Sequence, residues 1–121
     1  MAGKVVLVDF WGISCGFCLV ELPEVQAAAH HFADRKDLVF IGLHESGATA
    51  GQVAEFARKR GLTYQLLVDR PIDEEGWFGA TFKEYGVRGI PAAAVIDRKG
   101  NVAFVGRFPE ALKEAARLLG P

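Results

Sequence analysis

The chain carries two cysteines, Cys15 and Cys18, within Asp9-Phe10-Trp11-Gly12-Ile13-Ser14-Cys15-Gly16-Phe17-Cys18. A pair spaced this way can be half of a metal site, a structural staple or a working dithiol. A tetrahedral zinc site takes four ligands. The other soft donors are His30, His31 and His44, in no zinc-finger spacing. A bridge closing so short a loop removes little entropy from the unfolded chain, and 121 residues can bury a core without one. Inert cysteines remain the bland alternative; redox chemistry is the favoured one.

That chemistry depends on which elements hold the thiols. Residues 4–10 contain the run Val5-Val6-Leu7-Val8, an almost continuous apolar stretch of the kind buried on both faces of a sheet. After the cysteines, Cys18, Leu22, Val25, Ala29 and Phe32 recur at spacings of three and four, one face of a helix running to about Ala33. Pro23 interrupts this helix and is expected to kink it. Cys15 then falls at the helix N-terminus, where unpaired N–H groups and the positive end of the helix dipole favour thiolate. Cys15 is the expected nucleophile. Cys18, on the apolar face, is the expected resolving thiol.

The remaining pattern completes an α/β unit. Residues 38–43 read as a second buried strand, giving a βαβ unit with parallel strands. Thr49-x-x-Gln52 predicts a capping box for a helix presenting Val53, Phe56 and Ala57 and ending at Gly61. A strand over 64–68, a polar loop from Asp69, and a short helix over 77–85 stopped by Gly86 follow. Strands over 92–96 and 102–106 flank a turn containing Gly100, a hairpin signal. Pro109 opens a last helix with Leu112, Ala115, Ala116 and Leu119 on one face. The expected architecture is a five-stranded mixed sheet, four strands parallel and one antiparallel, with helices on both faces.

Composition excludes some function classes. The 14 basic and 15 acidic residues nearly balance and are scattered, unlike the basic footprint of a nucleic-acid binder. No apolar run reaches the roughly 18 residues a membrane span requires, and the N-terminus shows no signal-peptide pattern.

Asp9-Phe10-Trp11, then Cys15-Gly16-x-Cys18, Pro23 within the helix and Gly89-Ile90-Pro91 before a hairpin together resemble the thioredoxin superfamily over essentially the whole chain. Residues 18–24, the inserted helix and strand at 49–68, and residues 85–91 are similar to the TlpA/ResA-type thiol-disulfide oxidoreductases. The resemblance implies a thioredoxin fold with a TlpA/ResA-type βα insertion, residues 1–121 forming one domain. No cofactor is expected, and the shortage of ligands argues against a metal. The expected partners are protein thiols or disulfides and an upstream redox protein, met as a monomer, with no nucleic acid. It favours work outside the cytoplasm on a tether beyond this segment, and the abrupt start at a central strand suits a domain excised from a longer protein.

Residue by residue, the resemblance makes Cys15 the attacking and Cys18 the resolving cysteine. Asp9 matches the buried carboxylate that assists proton transfer at the second cysteine, a role that desolvation of a strand-end acid would support; the competing expectation is a solvated strand-end Asp. Pro91 matches a cis-proline facing the cysteines, so Ile90-Pro91 is predicted cis, with backbone beside it for an extended substrate. Gly16 and Phe17 in the Cys-x-x-Cys turn, Trp11 below it, and Ile90 complete the expected substrate side. Trp11 is otherwise an ordinary core residue. Glu21 matches an acidic family position, although a solvated helix residue is the plainer reading. His30 and His31 are expected at the surface and His44 in the core or a loop.

The chain departs from the family pattern at Ser14, where Trp is usual, at Phe17, where Pro is common, and at Ala92, where Thr is frequent. Ile41-Gly42-Leu43 lacks the basic residue that often approaches the buried acid, so Asp9 is expected to ionise less easily. Residues 71–78 look longer than the family's link, with Trp77 and Phe78 offering either a substrate-side patch or an anchor. Two rivals stand beside the oxidoreductase reading. A peroxiredoxin-type peroxidase lacks its Pro-x-x-x-Thr-x-x-Cys pattern here, and a redox-sensing recognition domain would bind without turnover.

Overall fold

The fold is taken from a computed structural model, which describes residues 3–72 and 79–121. The expected elements at Trp77 and Phe78 lie outside the described residues. Nine elements follow in chain order: β1 (Val5–Trp11), α1 (Gly16–His31), β2 (Leu38–His44), α2 (Ala50–Arg60), β3 (Gln65–Val68), α3 (Ala80–Glu84), β4 (Ala92–Ile96), β5 (Val102–Gly106) and α4 (Phe108–Leu119).

The strands form one sheet in the order β3-β2-β1-β4-β5. β1 runs parallel to β2, and β2 to β3, while β4 is antiparallel to both β1 and β5. Four strands therefore point one way and β4 the other, as the sequence pattern predicts. β1 is central and buried at all seven positions, because both of its faces are covered. Val5 and Leu7 pack with Val25, Ala28 and Ala29 of α1 and Phe108, Ala111 and Ala115 of α4. Val6, Val8 and Phe10 point the other way, against Phe82 and Val87.

α1 buries Cys18, Leu22, Val25, Ala28 and Ala29, the three-and-four spacing read from the sequence. It ends at His31, two residues short of the expected end, with Phe32 as C-cap. α2 carries the full capping box: Thr49 Oγ1 accepts the Gln52 N–H at 3.1 Å and Gln52 Oε1 accepts the Thr49 N–H at 2.8 Å. Gly61, at φ 69°, ends it in the left-handed conformation that favours glycine.

Two expectations are corrected. The helix expected from residue 77 starts at Ala80, since Gly79 is its extended N-cap and offers no side chain to cap it. The carboxylate of Asp69 takes that duty from a distance. α4 buries Phe108, Ala111, Ala115 and Leu119 and leaves Ala116 exposed. Phe108 anchors the buried face, its ring centroid 6.2 Å from that of Phe40.

Candidate dithiol site

β1 delivers the chain to the site and α1 begins there. The turn between them closes where the Cys15 N–H donates to the Gly12 carbonyl at 3.1 Å. Cys15 is then the N-cap of α1, with extended backbone at φ −94° and ψ 106°, and its Sγ accepts the Cys18 N–H at 3.1 Å. The first sulfur thus lies on the helix N-terminal amides, as its position in the sequence predicts. Cys15 and Cys18 are joined as a disulfide, Cα atoms 5.2 Å apart. The two halves differ in access: Cys15 is half-buried, while Cys18 is 2% exposed.

The surroundings of Cys18 are apolar. Trp11, Cys18, Leu22 and Val53 form one buried cluster, with Cys15, Phe56 and Ile90 packed against it. Trp11 is fully buried, so it supports the disulfide from beneath and offers no ring surface to a partner. Asp9 shares the Trp11 side of β1 and is 2% exposed, not a solvated strand-end acid. Its register neighbours are Gly42 and Ala93, neither of them charged. Asp9 Oδ1 has no hydrogen-bond partner among the described residues. Burial, reinforced by the charge of Glu21, pushes its carboxyl well above the usual range.

Glu21 corrects the plainer expectation of a solvated helix residue. Lying one turn after Cys18, its side chain is only 11% exposed and stands 3.8 Å from the Arg107 guanidinium at the start of α4. Burial raises its pKa, and Arg107 opposes that rise. Tyr64 closes the same region, its hydroxyl buried and unpartnered among the described residues. Its pKa is raised by burial and then by the charge of Asp9. Gly42 is required here, because a Cβ would come within 2.8 Å of the Tyr64 ring and 3.3 Å of Trp11 Nε1.

The outer face is apolar and open. Phe17 is 80% exposed; Gly16 and Ser14 are exposed and Ala92 is half-buried. Val20, which the sequence reading passed over, is 79% exposed one turn after Phe17. The Ile90-Pro91 bond is cis, and Ile90 packs toward both Phe10 and Trp11. His30 and His31 lie exposed at the far end of α1. Among the described residues no group of three or more His, Cys, Asp or Glu is arranged to hold a metal ion.

Sequence reasoning missed Arg107 and Glu45. Arg107 lies 86 positions beyond Glu21 in the chain, and nothing local signals their meeting. Glu45 had a signal: an acid directly after a buried parallel strand, followed by Ser46-Gly47. It is 6% exposed and lies next to His44, itself 2% exposed.

Comparison with known proteins fits this geometry. A family model described as Redoxin matches residues 1–119. The thioredoxin-like protein YneN of Bacillus subtilis is 28% identical over 100 residues, 83% of this chain and 54% of that protein. The thiol-disulfide oxidoreductase ResA of Halalkalibacterium halodurans is 22% identical over 125 residues, 100% of this chain and 65% of that protein. The chain spans about half the length of the first of these relatives. A thiol-disulfide isomerase from Corynebacterium glutamicum superposes with TM-score 0.80 at 27% identity, covering 99% of this chain and 83% of that one.

Proposed function

The chain belongs to the Redoxin family, with a thioredoxin-like fold, and on that premise we propose that it exchanges disulfides with protein partners, in the reductase direction. The observation that supports this most is the asymmetry of the dithiol: Cys15 is half-buried at the N-cap of α1 with its Sγ on the Cys18 N–H, while Cys18 is buried.

In the reduced protein the Cys15 thiolate attacks one sulfur of a substrate disulfide. A bond forms between Cys15 Sγ and that sulfur, the substrate S–S bond breaks, and the departing thiolate takes a proton from water. Asp9 then accepts the Cys18 proton, and the Cys18 thiolate attacks Cys15 Sγ. The mixed disulfide breaks, the second substrate thiolate leaves, and Asp9 returns the proton to it. The substrate gains two electrons, and the Cys15–Cys18 disulfide is restored. An upstream dithiol protein would reduce it again.

Burial, and after it the charge of Glu21, raises the proton affinity of Asp9 above that of an ordinary carboxylate, which makes it a better acceptor for a thiol proton. Gly16, Phe17, Ile90 and Pro91 form the surface that meets an extended substrate, and Trp11 supports that surface from below. Family resemblance favours work outside the cytoplasm.

The test is turnover of a protein disulfide such as insulin with dithiothreitol as donor. The wild type is expected to exceed the donor alone by at least an order of magnitude, and Cys15→Ser to fall to the donor background. A wild type no faster than the donor would overturn the reading. The reduction potential of the couple then fixes direction: a value near −270 mV or below suits a reductase, and one near −120 mV an oxidase.

A further inference from the structure

His44 ends β2 in register with Trp11, the last residue of β1. Its ring is engaged on three sides. Nδ1 lies 2.7 Å from the Glu45 carbonyl oxygen and 3.1 Å from Glu45 Oε1. Both neighbours accept, so Nδ1 carries the hydrogen. In a neutral imidazole the other nitrogen is then bare, and Nε2 accepts the Ile13 N–H at 2.9 Å. The third side is an edge-to-face contact with Trp11, centroids 5.0 Å apart.

Ile13 stands inside the turn that presents Cys15. That turn is closed at one point by the Cys15 N–H on the Gly12 carbonyl and at a second by the imidazole. Gly12 is enclosed by the same group: a Cβ there would lie 3.1 Å from Glu45 Cγ and 3.3 Å from Ile90 Cδ1. Glu45 in turn is fixed by the Gly47 N–H, which donates to Oε1 at 3.1 Å. A buried His–Glu pair, reached from β2, thus holds the backbone two residues ahead of the attacking sulfur.

We propose that His44 is a positioning residue for Cys15: oriented by Glu45, its bare Nε2 takes the Ile13 N–H and fixes the turn that sets Cys15 at the N-cap of α1. The purpose rests on the oxidoreductase reading; the geometry constrains Cys15 whatever it reacts with. Hydrogen bonds weaken steeply with distance and angle. A turn released from His44 keeps Cys15 Sγ on the Cys18 N–H for less of the time, and the thiolate loses its support. His44 acts through Ile13 and touches no substrate.

The test compares His44, His44→Leu and His44→Gln in a Cys18→Ser background, which leaves one thiol. The readout is the pH midpoint of Cys15 alkylation by iodoacetamide, beside the melting temperature. Leu fills the space without an acceptor and is expected to raise the midpoint by about half a unit, a roughly threefold loss of thiolate at lower pH. Gln offers an amide oxygen where Nε2 stood and is expected to restore most of that shift. Melting temperatures that fall with an unmoved midpoint would reduce His44 to packing and overturn the proposal.

If the Leu variant fails to fold, the wild type decides by ¹⁵N spectroscopy. The Nδ1–H tautomer with a protected Ile13 amide supports the proposal; an Nε2–H tautomer or a freely exchanging Ile13 amide sinks it. Alkylation requires no turnover. A wild type that fails the insulin assay would therefore defeat the functional reading, while the midpoint comparison still decides the role of His44.

Discussion

Two buried aspartates, Asp9 and Asp69, are 2% and 5% exposed, and the fold uses them in opposite ways. Asp69, just past the end of β3, is saturated with donors. Its Oδ1 accepts the Arg70 N–H at 2.9 Å, and Oδ2 accepts the N–H groups of Thr81 and Phe82 at 2.8 and 3.0 Å. Those last two belong to the first turn of α3, so a remote carboxylate caps a helix whose own N-cap is glycine. Asp9, in the centre of the sheet, has an oxygen without a hydrogen-bond partner among the described residues. Burial by itself does not mark a working acid. An acid whose burial goes uncompensated binds a proton more tightly than an ordinary carboxylate, the property a proton acceptor for a thiol needs.

The contrast breaks most visibly at Asp69. Asp69→Ala leaves three backbone donors without their acceptor and is expected to cost about 3 kcal/mol in urea unfolding, with the exchange rate of the folded protein within about twofold of wild type. A larger rate loss at unchanged stability would mean that Asp69 serves the chemistry.

Asp9→Asn should give the reverse pattern. Exchange is expected to slow about a hundredfold, the lower end of what a positioned base contributes. The pKa of Asp9 is raised in the folded state, so its stabilising contribution is fully present below the unfolded value of 3.8 and is lost as pH rises through the folded value. The variant lacks that loss. Its stability advantage over wild type should therefore grow from about pH 4 upward, and urea unfolding at pH 4 and pH 8 checks it. A constant difference, or one that shrinks with pH, contradicts the assignment.

The smallest effect is expected at Glu21. Glu21→Gln removes the second cause of the Asp9 shift and leaves the larger one, burial, in place. The pH profile of exchange should move to lower pH by less than one unit. A shift to higher pH would show that Glu21 does not act on Asp9 by its charge.

Much of this was legible in the sequence where the signal is local or periodic. The apolar run from Val5, the spacing Cys18–Leu22–Val25, the Thr49/Gln52 box and the Gly61 stop each report a one-dimensional pattern, and each reappears in space. The start of the short helix α3 was not legible, because its cap comes from Asp69, eleven positions before the helix begins. On α4, Leu112, Ala115 and Leu119 meet the core as their spacing predicts, and Ala116 alone of the expected face is exposed.

The site divides in the same way. Cys15 and Cys18 announce themselves by spacing and by their place between strand and helix. Asp9 was suspected from resemblance, but its solitude comes from register, which sets Gly42 and Ala93 beside it. The bonds from His44 to Ile13 and from Arg107 to Glu21 join residues 31 and 86 positions apart, and only the fold brings them together.

The division of labour between the two sulfurs is tested most directly by trapping. Reduced Cys18→Ser protein is mixed with excess insulin, and the product is read by intact mass and peptide mapping. A lasting adduct through Cys15, with none from Cys15→Ser under the same conditions, is the predicted result. An adduct formed equally well by Cys15→Ser through Cys18, or no adduct from Cys18→Ser, would contradict the assignment of Cys15 as the attacking thiol.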